Sequence, residues 1–89
     1  MERIHYLFHG RVQGVGFRIT LYQQAIKYHI TGWVKNLSNG DVEACLQGSK
    51  ENIDKAIAYM QSIRYIKIEN IYQENLDVLE SEKSFEMKY

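Results

Sequence analysis

Two short stretches of this chain carry residue types that suit the binding and attack of an oxyanion. The first is Gly10-Arg11-Val12-Gln13-Gly14-Val15-Gly16-Phe17-Arg18, which combines three glycines with two arginines. Glycine lets a backbone turn so that consecutive N–H groups face one point, and a following helix start adds partial positive charge there. A guanidinium group matches the geometry of phosphate or carboxylate. The stretch therefore predicts an anion site, although many glycine-rich turns with surface arginines bind nothing.

Asn36 is the second candidate, because it ends a packed segment and precedes the turn residues Leu37-Ser38-Asn39-Gly40. Its amide group could orient a water or a ligand at the mouth of the glycine turn. An asparagine in such a position also commonly bonds to its own backbone, and periodicity alone favours that second interpretation.

Other kinds of site find little support in the sequence. His5 and His9 share a strand face but lie roughly 13 Å apart, which is too far for one metal ion. His29 stands alone, and Cys45 is the single cysteine, flanked by acidic positions as a structural thiol often is. The glycines precede neither a Walker lysine nor a G-x-G-x-x-G fingerprint, so we expect no metal site and no nucleotide cofactor.

Length and charge narrow the function classes further. The 89 residues fit one domain over residues 1–89. A net charge of zero argues against bulk binding to nucleic acid or an anionic membrane, yet residues 1–35 carry five basic side chains against one acidic. A lone cysteine and the lack of any apolar run near 20 residues lead us to expect a cytoplasmic protein. The even totals of basic and acidic side chains on the surface suggest a monomer.

Hydrophobic periodicity predicts the elements that must position these residues. Arg18 begins an apolar helical stripe, so its guanidinium is expected to point inward and to need a partner or an anion. Two amphipathic helices over one sheet predict an α+β fold, a ferredoxin-like two-layer sandwich of order βαββαβ. Its sheet should be mostly antiparallel, with both helices on one face and the first and third strands central. The predicted strands cover residues 3–9, 32–36, 41–47, 65–72 and a short segment within 84–89. The predicted helices run from Phe17 or Arg18 to about His29 and over residues 50–63, and residues 73–83 are predicted as a loop. The apolar stripe of the first helix comprises Arg18, Leu21, Tyr22, Ala25, Ile26 and His29.

Both motifs resemble signatures of a known family. Gly10 to Arg18 looks like the first signature of the acylphosphatase family, and Gly32-Trp33-Val34-Lys35-Asn36 with Gly40, Val42 and Gly48 looks like the second, at the family's spacing. The resemblance implies the same sandwich fold. It also implies hydrolysis of the carboxyl-phosphate bond of small-molecule acyl phosphates, without a metal or an organic cofactor.

The resemblance also assigns roles to individual positions. Arg18 matches the catalytic arginine that holds the phosphate, and Asn36 matches the catalytic asparagine that positions the attacking water. The phosphate cradle corresponds to backbone amides of the turn: Arg11, Val12, Gln13, Gly14, Val15, Gly16 and Phe17. Leu37 stands where some members carry a hydroxyl residue, and the proline that many members have after the second helix is absent.

Two alternatives stay open from the sequence. One is a binding module that holds phosphate or carbamoyl phosphate without turnover, as occurs inside larger carbamoyl-transfer proteins. The other is a small RNA-binding sandwich, which the net charge and the lack of paired strand aromatics disfavour. Arg11 is expected to be a solvated turn residue, and the sequence identifies neither the physiological acyl phosphate nor the acceptor of the water proton.

Overall fold

A computed structural model describes residues 1–89 as five strands and two helices. No helix is long and apolar enough to cross a membrane. The elements are β1 (Glu2–Arg11), α1 (Phe17–Lys27), β2 (Thr31–Asn36), β3 (Val42–Gly48), α2 (Lys50–Ser62), β4 (Lys67–Leu76) and β5 (Phe85–Met87).

The five strands form one sheet in the order β4-β1-β3-β2-β5. The pairs β1–β3, β1–β4 and β2–β3 are antiparallel, and only β5 runs parallel to its neighbour, β2. The predicted α+β ferredoxin-like sandwich is therefore confirmed, and so is the central position of the first and third strands. Because β1 lies beside β3, and β2 is the next strand, the end of β2 lies near the turn that follows β1.

The hydrophobic core lies between the two helices and one face of the sheet. Ile4, Tyr6 and Phe8 alternate along β1 toward the helices, and the aromatic rings of Phe8 and Phe17 lie 5.0 Å apart between their centroids. Burying one such side chain contributes about 1.5–3 kcal/mol, so the stacking of α1 and α2 on this face dominates the stability of the fold. The second helix buries Ile53, Ala56 and Met60, as its periodicity predicts.

Helix α1 differs from its prediction in both its end and its buried face. Its buried residues are Phe17, Leu21, Gln24 and Ala25, while Arg18 is only half-buried and Ile26 and His29 are exposed. The predicted stripe was therefore wrong by about one position around the helix, because Phe17 and not Arg18 leads the packed face. Arg18 lies at the border of that face, which leaves its guanidinium outside the core.

The helix also ends at Lys27 instead of His29. His29 adopts φ of 56°, and the N–H of Ile30 donates to the Ala25 carbonyl oxygen at 2.8 Å. A left-handed residue with this hydrogen bond terminates a helix, usually with glycine in the place that His29 occupies.

Strand β1 extends two residues further than the periodicity indicates. Gly10 and Arg11 pair with Ile68 and Lys67 after a bulge, so they belong to the strand and not to the turn. Gly10 has φ of 135°, and a Cβ atom there would lie 2.1 Å from the Lys67 carbonyl oxygen. Only glycine fits this crossing of the two strands.

Strand β4 also departs from its prediction, since it begins at Lys67 and continues to Leu76 through residues predicted as loop. Its polar sequence reflects an edge strand whose side chains are largely exposed, and pairing with β1 supplies the backbone hydrogen bonds.

The face of the sheet opposite the helices is partly covered by residues 77–84. Gln47 donates to the Leu79 carbonyl oxygen and accepts from the Leu79 N–H, and Arg3 forms a 2.8 Å salt bridge with Glu82. Cys45 and Gln47 are consequently buried, although they alternate with the core residues Ala44 and Leu46 and lie on the other face of β3.

Candidate active site

The glycine turn between β1 and α1 presents unpaired backbone donors. None of the N–H groups of residues 12–16 donates to a backbone carbonyl. Gly14 and Gly16 have φ of 73° and 75°, a left-handed conformation that glycine adopts at low cost. Gly16 is also the N-cap of α1, and no side chain caps the helix there. The turn and the helix start therefore form a concave set of free donors with partial positive charge.

Arg18 is oriented by the C-terminal segment of the chain. Its Nη1 atom donates to the Lys88 carbonyl oxygen at 2.8 Å, and its Cζ atom lies 4.8 Å from the centroid of the Tyr89 ring. It forms no salt bridge with a carboxylate. Because a guanidinium carries five N–H donors, holding one of them by a neutral carbonyl leaves the charge and the other donors available for an anion.

Asn36 is the last residue of β2 and pairs with Val42 across the hairpin. It is half-buried, and its side-chain amide forms no hydrogen bond within the protein. The bonds typical of a turn asparagine are made instead by Asn39, whose Oδ1 accepts from the Asp41 N–H at 3.0 Å. The amide of Asn36 thus keeps both a donor and an acceptor free.

These groups line one cavity of about 290 Å³, which contains most of the residues predicted from the sequence. Arg11 and Val15 are not among its walls: Arg11 is exposed at the end of β1, and Val15 packs against the core. The walls include three residues that sequence reasoning missed, Ile19, Met87 and Tyr89. The lining residues are Val12, Gln13, Gly14, Gly16, Phe17, Arg18, Ile19, Asn36, Met87 and Tyr89.

Some of the missed features have a signal in the sequence, and others have none. Phe85, Met87 and Tyr89 alternate, which could have placed Met87 and Tyr89 on the same face as the buried Phe85. The parallel pairing of β5 with β2, which brings that face to the cavity, has no signal in a three-residue strand. The role of the Gln13 side chain was also missed: its Nε2 atom donates to the carbonyl oxygens of Leu37 and Asp41 at 2.7 and 2.9 Å.

The electrostatics of the cavity favour an anion. Arg18 is the only ionisable group with a formal positive charge among the lining side chains, and no histidine, aspartate or glutamate lies among them. Free N–H groups, a helix start and one guanidinium therefore act in the same direction, without a carboxylate side chain to neutralise them. An oxyanion fits this combination of donors.

The titratable side chains outside the cavity have other partners. His5 Nε2 lies 2.7 Å from Glu43 Oε2, and His9 Nδ1 lies 2.7 Å from Asp41 Oδ1. The hydrogen bond that His9 donates to the Asp41 carboxylate raises the pKa of His9. Burial raises the pKa of the Cys45 thiol, so the neutral thiol prevails at physiological pH and a nucleophilic thiolate is disfavoured.

Sequence comparison with known proteins indicates one family. A sequence model of the family Acylphosphatase matches residues 4–87. An acylphosphatase of Clostridium beijerinckii is 40% identical over 93 residues that cover both chains completely. One of Geobacillus kaustophilus is 37% identical over 90 residues, covering this whole chain and 96% of the relative. The crystal structure of acylphosphatase from Bacillus subtilis superposes with a TM-score of 0.91 at 30% identity, covering all of both chains.

Proposed function

The chain belongs to the acylphosphatase family and is an acyl phosphate hydrolase, and on that basis we propose how its cavity performs the reaction. The phosphoryl group is held by the Arg18 side chain and by backbone amides of the glycine turn, and Asn36 orients the attacking water. One observation carries this proposal: free turn amides, a guanidinium without a carboxylate partner and an unbonded asparagine amide line the same cavity.

The reaction begins when the water oxygen attacks phosphorus opposite the acyl oxygen. The bond between phosphorus and the acyl oxygen breaks, and its electron pair leaves with the carboxylate. Because a carboxylate is a good leaving group, the step needs no general acid. With no carboxylate or imidazole side chain in the cavity walls, the water proton passes to a phosphoryl oxygen of the substrate, which gives a carboxylate and inorganic phosphate.

Catalysis in this proposal rests on positioning and on charge. The transferring phosphoryl group spreads negative charge over its equatorial oxygens, and preorganised N–H donors stabilise that charge where it develops. The hydrogen bond from Arg18 to the Lys88 carbonyl fixes the guanidinium plane before substrate arrives, which lowers the reorganisation needed on binding. Positive charge thus comes from the protein itself, and we propose that turnover needs no metal ion.

The proposal extends to the form in which the protein acts. Residues 1–89 work as one domain, as a monomer in the cytoplasm, on a small-molecule acyl phosphate and without nucleic acid. Support comes from a single continuous core of seventeen buried residues, a net charge of zero and one free, buried cysteine. We expect one species of monomer mass in solution by light scattering.

Phosphate release from a small aromatic acyl phosphate tests the function. We expect turnover by the wild type at micromolar enzyme, unchanged in the presence of a chelator. Phosphate binding without turnover would instead indicate a binding module, and a salt-sensitive gel shift with RNA would indicate a nucleic-acid partner. Turnover that survives both Arg18→Ala and Asn36→Ala would refute the site while leaving the family intact.

A further inference from the structure

The side chain of Gln13 connects the two halves of the cavity. Gln13 lies in the glycine turn, and its Nε2 atom donates to the carbonyl oxygens of Leu37 and Asp41 at 2.7 and 2.9 Å. Leu37 directly follows Asn36, and Asp41 precedes the strand residue that pairs with Asn36. One amide therefore bonds to both ends of the loop that follows Asn36.

No other hydrogen bond joins these two regions. Residues 12–16 make a single backbone hydrogen bond, from the Thr20 N–H to the Gly16 carbonyl, and that bond belongs to the start of α1. Their free N–H groups are what suits them to an anion, so the turn lacks the backbone ladder that would otherwise fix it against β2. The Gln13 amide supplies the missing attachment.

The accepting carbonyls are already part of a closed loop. The Leu37 N–H donates to the Asp41 carbonyl at 2.8 Å, and the Gly40 N–H donates to the Leu37 carbonyl at 3.2 Å. Each carbonyl uses its second lone pair for Gln13, and both hydrogens of the Gln13 amide are used. A replacement must therefore offer two donors at the same reach, which neither a carboxylate nor a thioether does.

We infer that Gln13 is a positioning residue of the reaction, which sets the distance between the phosphate cradle and the water held by Asn36. This inference rests on the proposed function. Both N–H groups of the Gln13 side chain donate to the loop, and neither is free to bind the anion. Gln13 therefore acts through Asn36. Its loss should slow the chemical step more than it weakens phosphate binding, because misplacing a reacting group by about 1 Å costs about 10²-fold in rate.

Gln13→Met is the main test, since it keeps the length of the side chain and removes both donors. We expect kcat to fall about 10²-fold, while KM and the inhibition constant of inorganic phosphate change less than about threefold. Gln23→Met is the matched control, because Gln23 is exposed on α1 and its side chain makes no hydrogen bond. It should retain full activity. Urea unfolding of both variants gives the folded fraction by which each rate is corrected.

A double variant separates positioning from a general structural role. If Gln13 acts through Asn36, adding Gln13→Met to Asn36→Ala should lower kcat by less than about threefold further. The reason is that the Asn36→Ala variant has already lost the side chain that positions the water. Full additivity of the two losses would overturn the inference. Unchanged kcat in folded Gln13→Met would do the same, while leaving the proposed function intact; only a wild type without turnover would refute that function.

Gln13→Glu adds a second, independent readout. Ionised, the carboxylate faces two carbonyl oxygens and donates nothing; protonated, it donates once. The ratio of its kcat to that of the wild type should therefore rise as the pH falls toward the carboxyl pKa, while the ratio for Gln13→Met stays flat. His9 and Asp41, the titratable side chains nearest this contact, are present in all three proteins, so their own titration contributes to every profile. Parallel ratios for both variants would contradict the inference.

Discussion

The glycine turn of residues 12–16 lines the cavity, and the hairpin loop of residues 37–41 follows Asn36, another of its walls. The two regions use their backbone donors in opposite ways. The turn keeps its N–H groups unpaired. The loop closes on itself through the Leu37 N–H, the Gly40 N–H and the Asn39 side chain. One region is built to receive an anion, and the other is built to hold a single amide, Asn36, at a fixed point.

The difference teaches how a small chain builds a site without ionisable pairs. Free donors need a rigid surrounding, because an N–H group that can move gains little from preorganisation. The turn obtains that rigidity from its neighbours: Gln13 ties it to the loop, and the start of α1 continues from Gly16. Substitutions that change either the turn or the loop, and leave the other unchanged, test this division of roles.

Replacing Arg18 should have the largest effect, because this residue of α1 supplies the one positively charged side chain of the cavity. We expect Arg18→Ala and Arg18→Lys each to lower kcat/KM by at least about 10³-fold, since a point charge does not reproduce the planar fork that Lys88 orients. Steady-state phosphate release measures both. Arg11→Ala is the control and should stay within about twofold of the wild type, because Arg11 lies outside the cavity. Equal losses in both arginine positions would mean that general positive charge, and not geometry, drives binding.

Asn36→Ala should have the second largest effect, a fall in kcat of about 10²–10³-fold. Because the loop does not contact the phosphoryl group in the proposed arrangement, the inhibition constant of inorganic phosphate should hardly change. Competition with inorganic phosphate measures this separation. If phosphate affinity falls as far as kcat does, Asn36 also binds the anion, and the proposed separation between anion binding and water positioning is wrong.

Glycine substitutions compare the two regions at equal backbone cost. Gly16 and Gly40 both have positive φ, 75° and 97°, and a Cβ atom on either meets no close neighbour. Each change to alanine should therefore lower the free energy of unfolding by about 1–2 kcal/mol, as urea titration can measure. Only Gly16→Ala should also weaken phosphate inhibition, because it tilts the free amides. Similar phosphate affinity in the two variants would indicate that the amide positions matter little.

His29→Gly should have the smallest effect, and it should raise the free energy of unfolding instead of lowering it. His29 holds φ of 56° at the end of α1, far from the cavity lining, and glycine adopts this conformation without the clash of a Cβ atom. We expect about 1 kcal/mol of added stability, or roughly 4–8 °C in Tm, with unchanged kcat. A thermal melt showing no gain would mean that the histidine side chain makes a compensating contribution.

Much of this arrangement is readable from the sequence because periodicity and turn chemistry are local. The element order, the central strands and the convergence of Arg18 with Asn36 follow from spacing and from the family motifs. The rotation of α1 by one position was not predicted, because Gln24 occupies a buried position that a hydrophobic pattern counts as polar. The length of β4 was missed for the related reason that an edge strand can be polar on both faces.

The long-range part of the site could not be predicted at all. Met87 and Tyr89 reach the cavity only because three residues of β5 pair in parallel with β2, after a segment anchored by the Gln47–Leu79 hydrogen bonds. Gln13 presents the same difficulty, since its partners lie 24 and 28 positions away in a loop whose carbonyls carry no sequence signal. Such contacts depend on the folded path of the chain.

The hydrogen bond between Arg18 and Lys88 spans 70 positions, so its two partners are synthesised well apart in time. At a synthesis rate of about 5–20 residues per second, Lys88 is added roughly 4–14 s after Arg18. During that interval the nascent chain can pair β1 with β3 and begin to bury its core. It carries a complete glycine turn but an arginine that lacks its bond to Lys88, so on the proposed function we expect full turnover only once β5 has docked beside β2.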